Sequence, residues 1–207
     1  MTASTLALAA LGSIALQATA ASASVIFIDP FVGDAWEPFE LIGPPGGTPG
    51  PAEIFDGQAT IYDQLANMLM IANSLHSFPT ETTIFPYNGN LMGGAVTGYL
   101  AIDFHTPVTE FGGYFGTADI LEGGMIMFFD EQGQNIGTEP MQLNLGEWDW
   151  FGWSSDTPIS RVEVYGNSTP GLPIVFDDLQ VNYIPAPTTG ALLGLAGLAA
   201  VRRRRQG

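Results

Sequence analysis

The sequence predicts a mainly β fold, an antiparallel β-sandwich of the jelly-roll or immunoglobulin-like kind, with one amphipathic helix. Short apolar segments alternate with turn-forming Gly, Pro and Asn residues, which is the spacing typical of antiparallel strands. The chain has 207 residues, enough for one domain with a sizeable core. It contains no cysteine, which excludes disulfides, thiolate metal sites and a thiol nucleophile.

The folded domain is expected to occupy residues 24–183. Residues 25–28 are a predicted strand, and residues 41–51 are a predicted loop because they consist largely of Gly and Pro. Residues 61–76 are the predicted helix, since their apolar side chains fall on one helical face. Further along the chain, apolar runs separated by turns predict strands at 96–104, 110–116, 124–130, 140–145, 148–153, 161–165 and 174–183.

Charge is distributed very unevenly along the chain. Four of the five basic residues are Arg202, Arg203, Arg204 and Arg205, so Arg161 is the one cation that precedes them, against 21 Asp and Glu residues. A surface this acidic repels nucleic acid and anionic lipid, which argues against a nucleic-acid or peripheral-membrane role for the domain. It would instead attract cations such as Ca²⁺.

The N-terminal residues 1–23 have the layout of a secretory signal peptide. Leu6 to Leu16 form a mostly apolar run, and the small residues Ala21 and Ala23 then place the signal peptidase cleavage before Ser24. The pattern lacks the usual basic residue ahead of the apolar run. We therefore expect an exported protein in which either the free α-amino group alone supplies the positive charge or the true start of the chain is not Met1.

The C-terminal residues 184–207 have three parts. Pro185, Ala186 and Pro187 precede an apolar stretch at 190–201, and Arg202 to Arg205 follow it. As a helix that stretch would be about 18 Å long, whereas the hydrocarbon core of a bilayer is about 30 Å thick. The arginines resist translocation. These features favour brief insertion of the tail into the inner membrane, with the acidic domain outside the cytoplasm.

This order of prolines, apolar stretch and arginine cluster resembles the PEP-CTERM sorting signal of Gram-negative bacteria. The resemblance implies recognition by an exosortase, removal of the tail, and delivery to the cell envelope, cell surface or exopolysaccharide matrix. The family usually has Glu where this chain has Ala186. An unprocessed membrane anchor is the alternative. Segments 107–113, 129–133 and 176–179 are also similar to β-sandwich ectodomains found with this tail.

Two acidic residues near the end of the domain are candidate calcium ligands. Val175, Leu179 and Val181 are expected to alternate toward the core, which would turn Asp177 inward as well. A buried carboxylate needs a partner, and backbone amides or a bound Ca²⁺ are the candidates. A structural Ca²⁺ would be held by Asp177 and Asp178, with further oxygens from Asp29 or Asp130. A β-bulge that turns both carboxylates to solvent is the alternative.

Four aromatic residues close together are the candidate ligand-binding residues. On one strand, Trp148 and Trp150 share a face, while Phe151 and Trp153 share the other. Indole rings exposed beside carboxylates stack on sugars, so Trp148 and Trp150 are predicted to bind a glycan if they are exposed. If they are covered, they pack against the rest of the domain.

No catalytic motif stands out: there is no nucleophile elbow, metalloprotease helix or phosphate-binding loop, and the two histidines, His76 and His105, are isolated in the sequence. The chain is therefore expected to be a noncatalytic, exported surface or matrix protein with a structural or adhesive domain. The alternative is a carbohydrate-binding module, with exopolysaccharide as partner, or less readily a polysaccharide-degrading enzyme.

Overall fold

The computed structural model describes residues 24–66, 68–73, 84–95, 97–117, 123–166 and 174–184. The predicted signal peptide, the tail from Pro185 onward and His76 lie outside these residues. Within them, the secondary structure consists of strands, and every strand pair is antiparallel. No helix in this part of the chain is long and apolar enough to cross a membrane.

Twelve strands form the described part of the domain. They are β1 (Val25–Phe27), β2 (Ala35–Glu37), β3 (Gly46–Pro49), β4 (Ala52–Ile54), β5 (Ala59–Asp63), β6 (Met68–Ala72), β7 (Met92–Ala95), β8 (Tyr99–Thr117), β9 (Gly124–Phe129), β10 (Asn135–Met141), β11 (Trp148–Gly166) and β12 (Ile174–Tyr183).

Two long strands, β8 and β11, run through both layers of the sandwich. Their regular pairing breaks between Ser154 and Ile159 of β11. Pro107 and Pro158 lie at these bends, where the missing proline N–H interrupts no ladder hydrogen bond. The long strands therefore need not end at their prolines, and each contributes one half to each layer.

The first layer has the strand order β4, β5, β8, β11, β9, β10 and uses the 99–104 part of β8 and the 161–166 part of β11. The second layer has the order β1, β11, β8, β12 and uses the other halves of the long strands. Beyond β12 it continues through β7, β6 and β3, and β2 pairs with the remaining part of β12.

One apolar core fills the space between the layers. The rings of Phe104 and Phe111 lie 6.0 Å apart edge to face, and those of Phe128 and Trp153 lie 5.4 Å apart. Trp153 is 1% exposed despite its size. Aromatic pairs of this kind add to the hydrophobic gain of burying the rings. The predicted antiparallel β-sandwich is confirmed.

The predicted helix at 61–76 is wrong. In its described part the chain forms β5 and β6, each alternating its side chains with a period of two. A short turn joins them, and the Asp63 carboxylate stabilises it by accepting the N–H groups of Leu65 and Ala66. The apolar residues of two short strands separated by this turn have a spacing that resembles a helical period. Because β5 pairs with β8, the chain forms strands here and not a helix.

The other predicted elements differ from the structure mainly at their ends. The predicted loop at 41–51 is wrong in part, since β3 pairs at the sheet edge with β6, where a strand tolerates Gly and Pro. The strands predicted before and after Pro107 form one continuous strand, β8. The strands predicted before and after Pro158 likewise form one strand, β11. The strand predicted at 140–145 overlaps β10 at Pro140 and Met141 alone, because β10 begins at Asn135 and ends at Met141. The prediction for 174–183 is confirmed.

Candidate functional site

A β-bulge in β12 organises the outer face of the second layer, the face directed away from the core. Before the bulge β12 pairs with β7, and after it with β2. Asp178, inside the bulge, has a φ of 48°, a left-handed conformation that costs energy for a residue other than Gly. The bulge shifts the alternation, so Val175 and Asp177 share the outer face while Leu179 belongs to the core. The predicted inward orientation of Asp177 is therefore wrong.

Asp177 is nevertheless buried, because residues 84–90, named here the crossing segment, pass over it. Its Oδ2 accepts the backbone N–H groups of Tyr87 at 2.9 Å and Asn88 at 3.2 Å. Its Oδ1 accepts the N–H of Asp178 at 2.8 Å. Burial raises the pKa of Asp177 to about 7, although the three N–H donors oppose that shift. This carboxylate ties the crossing segment to the sheet.

Asp178 joins the crossing segment to β2. Its Oδ1 accepts the indole N–H of Trp36 at 2.9 Å, and its Oδ2 accepts an amide N–H of Asn88 at 3.3 Å. Asp178 is 7% exposed. The bulge therefore buries both carboxylates and does not turn them to solvent, because backbone and side-chain donors satisfy them.

The four predicted calcium ligands do not all lie together. Asp130 is in the turn between β9 and β10, where its Oδ1 accepts the N–H groups of Gln132 and Gln134. Asp29 precedes β2, on the exposed surface. Among the described residues no group of three or more acidic or histidine side chains is placed to hold a metal ion. Calcium binding stays a prediction.

Five aromatic rings form a continuous surface on the outer face. We call this surface the aromatic platform; it consists of Phe31, Tyr87, Tyr114, Trp148 and Trp150. Adjacent centroids are 5.8 Å apart for Phe31 and Trp150, 5.3 Å for Tyr114 and Trp150, and 6.4 Å for Tyr87 and Trp148. Tyr87 stacks on Tyr114 with its centroid 3.5 Å away. The hydrogen bond between the two hydroxyls raises the pKa of Tyr114 to about 12.

Two glycines let the Trp150 ring lie close to the sheet. A Cβ at Gly112 would be 2.8 Å from Cζ2 of Trp150, and a Cβ at Gly152 would be 2.8 Å from its Nε1. Gly112 and Gly152 are paired across β8 and β11, so both present their bare backbone to the same face. Any larger residue would occupy the space that the indole fills.

Trp148 and Trp150 lie on the predicted shared face, opposite the core face of Trp153. Both are half-buried, and their indole N–H groups donate to the chain's own carbonyls, Trp148 to Phe85 at 2.8 Å and Trp150 to Ile28 at 3.3 Å. The more exposed ring of the platform is Tyr87, at 45%. Ring faces and edges, and not indole N–H donors, are thus what the platform offers a ligand.

A pocket of about 260 Å³ lies at one open edge of the sandwich, and sequence reasoning missed it. Its lining comes from β2, the residues that follow it, β4, and the turn between β4 and β5: Trp36, Glu37, Pro38, Leu41, Ile42, Glu53, Asp56 and Gly57. In the sequence, the adjacent Trp36 and Glu37 are the one local signal of this pocket. The other lining residues come together through the pairing of strands that are distant in the sequence.

Glu37 closes this pocket at its base, where the two layers meet. Its Oε1 accepts the N–H of Phe39 at 2.8 Å, and its Oε2 accepts the N–H of Phe55 at 3.2 Å. Phe39 lies beside the edge of one layer and Phe55 beside the edge of the other. Burial raises the pKa of Glu37, and the two N–H donors oppose that rise.

No family model matches this chain, and no curated protein matches it. Among solved structures it is similar to a family 61 carbohydrate-binding module in complex with β-1,4-galactotriose, at 9% identity and a TM-score of 0.38 over 61% of this chain and 88% of that chain. It is similar to a DUF4465 family protein from Bacteroides caccae, at 10% identity and a TM-score of 0.43 over 75% and 98% of the two chains. A cleaved adhesin domain of Lys-gingipain gives 13% identity and a TM-score of 0.44 over 76% and 99%. At these values the function has to be argued from the site geometry.

Proposed function

We propose that this domain is a noncatalytic module that binds polysaccharide on its aromatic platform. The observation that carries the proposal is the continuity of the five rings on one sheet face. Two of the rings are held in place by hydrogen bonds that their indole N–H groups donate, and one of these also packs closely on two glycines. Rigid aromatic surface of this kind binds the apolar faces of sugar rings with little loss of conformational entropy.

The charge of the domain narrows the class of polysaccharide. Of the basic residues in the sequence, only Arg161 precedes the C-terminal cluster, and it is already paired with Asp103 at 2.9 Å and Glu163 at 2.7 Å. A polymer of uronic acids or sulfated sugars would meet an acidic surface with no free arginine among the described residues. The platform is therefore suited to neutral or cationic polysaccharides, because like charges repel a polyanion.

Affinity electrophoresis in gels containing a neutral polysaccharide tests the platform. The Trp148→Ala and Trp150→Ala variants are expected to lose most of the retardation, because each removes part of the continuous ring surface. Tyr99→Ala is the matched control, since Tyr99 is a half-buried aromatic residue of the first layer, in edge contact with Tyr165. Equal retardation of the platform variants and the parent, or no retardation of the parent on any neutral or cationic polymer, would refute the proposal.

We further propose that the protein is exported and sorted to the cell envelope or an exopolysaccharide matrix. The support comes from the sequence: the apolar run and small residues before Ser24, and the tripartite tail from Pro185 to Arg205. In that setting a polysaccharide-binding domain would act as an adhesive element. Signal peptidase and an exosortase would be its processing enzymes.

The mass of the protein recovered from its native host tests this sorting. A mature species that starts near Ser24 and ends near Pro187, found outside the inner membrane, is the expected result. An Arg202–Arg205 cluster retained on protein in the inner membrane would show that the tail is a permanent anchor. The platform proposal does not depend on this outcome, because it concerns residues of the folded domain.

A further inference from the structure

The pocket beside Trp36 has the properties of a second binding site, separate from the platform. It is concave, and its lining combines the apolar side chains of Trp36, Leu41 and Ile42 with the acidic residues Glu37, Glu53 and Asp56. Trp36 is 52% exposed and Leu41 is 95% exposed, so neither side chain is buried in the core. A concave apolar surface with a few convergent polar groups is the usual form of a small-ligand site.

The residues of the pocket are also held in place by hydrogen bonds within the chain. The Trp36 indole is held by the hydrogen bond that its N–H donates to Asp178, and the residue is still 52% exposed. Three of the four residues other than glycine that have a positive φ among the described residues lie at the pocket: Phe39 at 62°, Phe55 at 53° and Asp56 at 55°. Such conformations cost energy and concentrate at functional sites.

Glu37 is what fixes these left-handed turns. Its two oxygens accept the N–H groups of Phe39 and Phe55, and both phenylalanines are buried. The pocket wall is thus set before any ligand arrives, and binding need not supply the energy to order it.

The polar lining decides which ligand fits. Glu53 and Asp56 contribute exposed carboxylates, and no lysine or arginine among the described residues lines the pocket. Glu53 has a side chain that is 59% exposed and accepts only a 3.2 Å hydrogen bond from Thr60, with His105 at 4.0 Å. A ligand with an apolar ring face for the indole and an ammonium group for the carboxylates matches this lining, because apolar ring faces pack on aromatic side chains and carboxylates attract cations.

We propose that this pocket binds a sugar that carries a free ammonium group, such as a deacetylated hexosamine unit. The inference rests on the proposed function only for the ligand class, polysaccharide; the residues are different from those of the platform. A terminal or single sugar is expected, because the volume of the pocket is about 260 Å³.

Isothermal titration calorimetry with the full chain tests the pocket, using a glucosamine trimer and an N-acetylglucosamine trimer of equal length as probes. We expect the glucosamine trimer to bind about tenfold more tightly, since acetylation removes the positive charge that the carboxylates attract. Trp36→Ala is expected to weaken its binding by about tenfold or more. A double variant, Glu53→Gln with Asp56→Asn, keeps the size of both side chains and is expected to abolish the preference between the trimers.

The possible outcomes separate this proposal from the platform. Equal affinity for the two trimers, or undiminished binding by both pocket variants, overturns it. If Trp150→Ala removes trimer binding while Trp36→Ala does not, the sugar binds on the platform and the pocket proposal fails. Absence of trimer binding together with retardation by a neutral polymer leaves the platform intact and overturns the pocket. Because Glu53 and Asp56 are exposed, loss of folding would not account for the double variant.

Discussion

Asp177→Ala is expected to lower the free energy of unfolding by about 3 kcal/mol. The substitution removes both oxygens that accept the N–H groups of Tyr87, Asn88 and Asp178. It leaves donors without partners beneath the crossing segment, and each unsatisfied buried group is costly. The segment also carries Tyr87 of the platform, so the variant should lose polysaccharide retardation as well as stability.

The same residue gives the domain a pH dependence with a definite sign. Burial raises the pKa of folded Asp177 to about 7, whereas an unfolded Asp titrates near 3.9. The folded state thus binds the proton more tightly. Its contribution to stability is complete below about pH 4 and is lost as the pH rises through about 7.

Urea unfolding at pH 5 and at pH 8 measures this effect. The parent is expected to be less stable at pH 8, and the Asp177→Asn variant is expected to show a smaller difference between the two pH values because it cannot ionise at this position. Asp29→Ala, at an exposed residue, is the control and should keep the parent's pH profile. An identical pH difference in parent and Asp177→Asn would mean that Asp177 is ionised throughout, held by its three N–H donors.

The sandwich was predictable because apolar segments separated by turn residues identify strands in this sequence. The clearest case is 174–183, which contains no Gly or Pro and has the predicted bounds, although the bulge at Asp178 breaks its alternation. Pro107 and Pro158 each lie between two apolar segments, so the sequence predicts two strands at each position. In the structure a single long strand continues through each proline. The helix was wrong because the turn after Asp63 spaces two period-two strands so that they imitate a period of 3.6.

The site was predictable only where it lies on one strand. Alternation alone placed Trp148 and Trp150 on the same face. Phe31 and Tyr87 join them from segments more than 60 residues away in the sequence, and no local pattern encodes that approach. The bulge at Asp178 is a similar case, because a single left-handed residue reverses the face of every side chain before it. The edge pocket depends on both layers and has no local signal.

Gly152→Ala is expected to destabilise the domain by about 2 kcal/mol and to abolish polysaccharide retardation. Its Cβ would lie 2.8 Å from Nε1 of Trp150 and 3.0 Å from the carbonyl oxygen of Ile28. These are the two atoms of the hydrogen bond that holds the indole against the sheet. The ring cannot move toward the neighbouring strand, because it already lies over Gly112. The added methyl must therefore displace the indole or the chain at Ile28.

A double-mutant cycle of Gly152→Ala and Trp150→Ala distinguishes these two responses. If the methyl acts through the indole, removal of the ring relieves the overlap, and the double variant should be more stable than the sum of the single effects predicts. Retardation by polysaccharide should remain lost, because the platform has lost its central ring. Additive losses of stability would instead place the conflict at the Ile28 carbonyl. The coupling energy therefore measures how much of the stability cost of Gly152→Ala arises from contact with the Trp150 ring and how much from contact with the backbone. Trp150 is the ring that joins Phe31 to Tyr114 in the platform.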